Sequence, residues 1–120
     1  MARKLNVQVF GIDDVLKKFA ETGGEPAKRD LEKITETYAR KMASESAEMA
    51  PVDTGALKNS ISSSPKKAEG EEIAWEWGSN LPYATRQEYE HKSKKGFVRK
   101  AIWNNRTKYR EAIRNRITKG

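Results

Sequence analysis

Few residues in this chain could do chemistry. His91 is the only histidine among 120 residues, and there is no cysteine. Thiolate catalysis, disulfides and cysteine-based zinc or iron–sulfur sites are thereby excluded. A Ser-His-Asp arrangement would have to form around His91, which stands beside Lys92, Lys94 and Lys95, whereas a general base of that kind needs a packed, oriented imidazole. Glu69, Glu71 and Glu72 group three carboxylates of the sort that hold magnesium. They surround Gly70 in turn-forming sequence and read as a solvated tip. Gly23 and Gly24 are not followed by Lys-Ser/Thr, and no G-x-G-x-x-G occurs, so neither phosphate-cradling loop is present. The expectation is a chain without a catalytic centre, metal or cofactor.

Two other sets remain. The net charge of +7 is unevenly placed: from His91 onward eleven Lys/Arg face one acid, Glu111, while the first ninety residues carry thirteen against sixteen acids. Arg99, Lys100, Arg106, Lys108, Arg110, Arg114 and Arg116 could neutralise several phosphates without reading a base sequence. They suit an acidic protein surface equally well. Trp75 and Trp77 lie two apart in an alternating segment, so they share one face of a strand as core, as an inter-subunit contact or as a stacking platform. Both sets are candidate partner surfaces.

The elements that position these residues follow from periodicity. Residues 5–10 alternate apolar and polar, as in a half-buried strand. Ile12, Val15, Leu16 and Phe19 fall on one helical face that Gly23-Gly24 stops. Residues 26–49 make the longest helix, with Ala27, Leu31, Ile34, Tyr38, Met42 and Met49 near one stripe and Ala39, Ala43 and Ala47 beside it. Residues 59–64 read as a polar strand pairing with 73–78 in a hairpin, and Tyr83 to Tyr89 as a short helix. From Phe97 on, Val98, Ile102, Tyr109, Ile113 and Ile117 recur at helical spacing, flanked by Phe97, Ala101 and Ala112. The fold class expected is α+β: an antiparallel sheet, N-terminal strand plus long hairpin, packed with a long central helix and a basic C-terminal helix. Residues 1–120 fit a single domain. With 36% apolar against 34% charged residues, its core is thin enough to invite neighbours. Arg3-Lys4 is not followed by an apolar run, and no window approaches a membrane-spanning length, so neither a signal peptide nor a membrane span is expected.

One stretch is more identifying than any composition. "APVDTGALKNSI", residues 50–61, resembles a motif of the tailed-bacteriophage tail-component family, the small neck or tail-completion proteins. In that family a long helix ends in Ala-Pro-Val-Asp-Thr-Gly-x-Leu-Arg-x-Ser-Ile. A hairpin, a Tyr-Ala-x-x-x-Glu segment and a Pro-Phe-x-x-x-Ala approach to a last helix follow. Here Lys58 takes the place of the common Arg, Tyr83-Ala84 with Glu88 matches the second element, and Phe97 with Ala101 matches the third. Two departures stand out: the Gly usual shortly after the second-element Glu is missing, and Gly96 replaces the Pro.

The resemblance implies a non-enzymatic structural protein of a tailed phage or prophage, made in the bacterial host cytoplasm and carried in the virion. It would join or complete the tail at the head–tail junction as a ring, commonly a hexamer. Its partners would be connector or portal-side, tail-terminator or tail-tube proteins, with DNA contact available to the basic helix. On the residues alone, the alternative is a small basic nucleic-acid-binding protein.

The motif also reads as a joint. Pro51 ends the helix and sets its exit. Asp53 or Thr54 can accept a backbone N–H and cap a turn from about Gly55 to Lys58. Gly55 permits an unusual backbone angle, and Leu57 anchors the turn. Ser60, Tyr83 and Glu88 complete the structural set. An anion site at the capped turn is the rival reading.

Overall fold

The structure, a computed structural model, describes residues 5–10, 14–51, 55–68, 74–81, 84–90 and 95–118. Strand β1 (Leu5–Phe10) precedes the long helix α1 (Asp14–Met49). α1 breaks at Gly24, whose φ of 71° and ψ of −156° are not helical. The expected glycine stop is therefore a kink, after which the helix resumes with Pro26 in its new first turn, where a missing N–H is tolerated.

The buried face of α1 is centred on small residues. Ala27, Leu31, Thr35, Ala39, Ala43, Ser46 and Ala47 are buried, with Met42, while Ile34, Tyr38 and Met49 lie half-buried at its margin. The stripe is thus rotated from the expected one towards the alanines, because small side chains let neighbouring elements approach the helix backbone. Thr35 can be buried there because its hydroxyl donates to the Leu31 carbonyl at 2.9 Å.

The sheet has the order β1-β3-β2, with β3 (Ala74–Ser79) in the centre. β1 runs antiparallel to β3 in a register that sets Val7 opposite Trp77 and Val9 opposite Trp75. β2 is only Lys66–Lys67. Its Lys66 Nζ lies 3.2 Å from Glu76 Oε1, and Lys67 pairs with Glu32 on α1. The expected hairpin is present, but its first strand is the short β2 instead of residues 59–64: residues 56–62 form helix α2 (Ala56–Ser62). The spacing of four between Leu57 and Ile61 decides it, since it places both buried side chains on one helical face. The tip between β2 and β3 lies outside the described residues.

Helix α3 (Ala84–Glu90) and the long α4 (Phe97–Thr118) complete the chain. α4 packs along α1. The main cluster joins Ala39, Met42, Ala43 and Ala47 of α1 to Leu57, Ile61, Trp77, Phe97, Val98 and Ala101. A smaller one sets Leu31 against Ile113. Polar contacts fix the pairing of the two helices. Buried Asn105 donates from Nδ2 to the Glu45 carboxylate and, at 2.8 Å, to the Ala101 carbonyl. Arg116 pairs with Asp30 at 2.6 Å.

Tyr109 lies 2.9 Å from the Thr35 hydroxyl and stacks obliquely on Tyr38, with ring centres 5.5 Å apart. Thr35 already donates to Leu31, so Tyr109 is the donor. Burial pushes its phenol above the ordinary value of 10.0. The native state then holds this proton after the unfolded chain has released it. The contribution to stability is full below about pH 10 and is lost as pH rises through the raised native value. Tyr109→Phe is expected to cost about 1 kcal/mol at pH 8 and to show a shallower loss between about pH 8 and 11. Urea unfolding at both pH values checks this, and identical alkaline losses in the two proteins would refute it.

Candidate functional site

The marked positions build two joints and one surface. At the first joint Ala50 and Pro51 are buried directly after α1. Gly55 takes a φ of 77°, and its carbonyl accepts the first bond of α2, from Asn59 N–H at 3.0 Å. A Cβ at Gly55 would meet nothing within 4 Å, so the left-handed backbone, not lack of room, favours glycine. Asp53 and Thr54, the expected cap, lie outside the described residues, as do Tyr83, His91, Glu69, Glu71 and Glu72.

The serines that suggest a strand do reach β3, through hydroxyls. Ser60 Oγ lies 2.8 Å from Ser79 Oγ, which also accepts the Leu81 N–H at 3.1 Å. Ser64 Oγ accepts the Gly78 N–H at 2.8 Å and donates to the Ile61 carbonyl at 2.7 Å. These bonds tie α2 to the central strand.

The second joint is built on Glu88, whose side chain is 1% exposed. Its carboxylate accepts the backbone N–H of Val98 at 2.9 Å and of Arg99 at 3.1 Å, with Arg99 Nε at 3.6 Å. A side chain of α3 thus caps α4, supplying negative charge where the helix dipole favours it. The Glu88 carbonyl accepts the Gly96 N–H at 2.7 Å, and Gly96 has a φ of 81°. Proline can provide neither that N–H nor that φ, so Gly96 gives this chain a helix approach that proline would forbid. The two short motifs, separate in the sequence, are one structural unit. The signal that could have joined them is an acid ten residues before a helical N–H that lacks an intrahelical acceptor.

The surface is the outer side of α4. Arg99, Lys100, Arg106, Lys108, Arg110 and Arg114 are exposed, whereas Arg116 is turned to α1 and Asp30. Trp77 is 1% exposed and belongs to the main cluster. Trp75 is half-buried, with the Arg40 guanidinium 5.1 Å from its ring. Among the described residues, the aromatics open to solvent are instead Trp103 and Tyr89. Sequence reasoning missed Trp103 because it stands on the polar side of the helical pattern. Its spacing of three and four residues from Arg106 and Arg99 was the available signal.

Among the described residues no three His, Asp or Glu side chains gather as a metal site, and no helix is long and apolar enough to cross a membrane. The arrangement is that of a small α+β scaffold whose marked residues set the angles between helices and strands. Residues 13–89 match the family described as "Bacteriophage HK97-gp10, putative tail-component", and the chain belongs to this family of phage tail components. Comparison with curated proteins gave no match, and neither did comparison with solved structures. The matched stretch contains the 50–61 joint and Glu88; α4 lies beyond it.

Proposed function

We propose that the chain is a non-enzymatic building part of a tailed-phage particle that joins or completes the tail at the head–tail junction, assembling there as a ring. The observation that carries this reading is the family match, which spans the joint between α1 and α2. A closed ring needs a head-to-tail interface between copies. β1 offers one half of it: a six-residue outer strand that, among the described residues, pairs on one side alone, with β3. In the particle the ring is hexameric and meets connector, portal-side, tail-terminator or tail-tube proteins. Deleting the gene from its phage is expected to leave unjoined heads and tails, visible by electron microscopy and restored to whole particles by the wild-type chain. Complete infectious particles without it would overturn the reading.

A further inference from the structure

The side of α4 facing away from α1 presents one line of side chains, Arg99, Trp103, Arg106, Arg110 and Arg114, at spacings of four, three, four and four residues. That spacing keeps them on one face, and at 1.5 Å per residue the line is about 22 Å long. Tyr89 of α3 extends it, with the Arg99 guanidinium 5.8 Å from its ring. Trp103 is 71% and Tyr89 59% exposed. The Arg106 guanidinium sits 5.0 Å from the Trp103 ring centre. Arg106, Arg110 and Arg114 make no ion pair among the described residues, and Glu88, the acid that approaches Arg99 at 3.6 Å, is buried and engaged by backbone N–H groups.

We propose that this face binds single-stranded nucleic acid, with the arginines on successive phosphates and the open face of Trp103 stacked on a base. Evenly spaced cations suit a partner of repeating negative charge, whereas folded protein surfaces intersperse both signs. A positive track with an aromatic platform, reinforced by an arginine on the ring, is the arrangement that grips unpaired strands. Duplex DNA would satisfy the arginines but keeps its base faces stacked, leaving the Trp103 face without a partner. The inference does not depend on ring assembly, because it concerns the isolated chain.

The test is fluorescence-anisotropy titration of the full chain against a labelled oligothymidylate over a range of salt concentrations. Log affinity is expected to fall linearly with log salt, and Arg110→Gln with Arg114→Gln to reduce the slope by about 1.4, at about 0.7 per phosphate on a single strand. Trp103→Ala is expected to weaken binding about tenfold with the slope unchanged, and Trp103→Phe to restore most of it. All three positions are exposed, and circular dichroism verifies that the variants fold. Absence of binding at low salt, or indifference to Trp103→Ala, would overturn the proposal. So would binding of a duplex of matched charge, or of polyglutamate, as tight as that of the single strand; polyglutamate binding would indicate an acidic protein partner instead.

Discussion

Replacing Glu88 with alanine is expected to destabilise the chain by about 3 kcal/mol and to lower its melting temperature by roughly 10 °C. The substitution removes the acceptor of two backbone N–H groups, those of Val98 and Arg99. A buried donor left without a partner costs about 1–3 kcal/mol, and the lost charge at the helix start adds a few tenths to about 2 kcal/mol. Water reaches the Arg99 N–H in part, which keeps the total below the sum of these contributions. The effect spreads because the first turn of α4 carries Phe97 and Val98 into the main cluster. Glu88→Gln is expected to fall between wild type and alanine: its carbonyl serves one N–H, while its amide turns a donor towards the other. Urea midpoints give the ranking. Hydrogen exchange locates the effect, with the Val98 and Arg99 amides losing protection before the centre of α4. Unchanged protection of those amides in Glu88→Ala would show that the cap is dispensable.

Glu88 also marks the limit of what periodicity can reveal. The long helices, the N-terminal strand and the short helix ending at Glu90 are legible, because each follows a repeat of 3.6 or 2 residues or stops at Gly or Pro. The interruption at Gly24 and the departure at Pro51 are legible for the same local reason. Residues 59–64 mislead because a polar run carrying one apolar residue, Ile61, has no period of its own. Only Leu57, four residues earlier, reveals the helix, and the attachment to β3 is made by hydroxyls that no period encodes. Thr35 and Asn105 escape notice because a polar residue inside an apolar stripe looks like an interruption until its partners, Leu31 and Tyr109 or Ala101 and Glu45, are in view. Glu88 is legible as a motif residue, but its partners, the N–H groups of Val98 and Arg99, are not. Trp103 is hidden because its value depends on which face of α4 is covered by α1, a tertiary fact.

Trp77→Ala is expected to be the most damaging single change, costing about 3–5 kcal/mol, the usual range for emptying a large aromatic site. Trp77 is 1% exposed on the central strand, opposite Val7, in a cluster with Ala39, Ala43 and Ala47 of α1. Those alanines are too small to move into the vacated space, so the cavity persists. Trp77→Phe is expected to behave differently. The indole Nε1 of Trp77 is buried with no hydrogen-bond partner among the described residues, a burden of about 1–3 kcal/mol that phenylalanine removes along with part of the volume. The net change should then be within about 1 kcal/mol, far from the alanine value. Trp103→Ala, at an open position, should leave stability unchanged within about 0.5 kcal/mol. Urea unfolding of the three variants tests both arguments: Trp77→Phe proving as destabilising as Trp77→Ala would refute the unpartnered-indole account. The same set separates two roles for the strand tryptophans. Were Trp77 chiefly a contact between subunits, Trp77→Ala would impair assembly while sparing the isolated chain. A core position requires the opposite order, with monomer stability falling first and assembly failing only as a consequence.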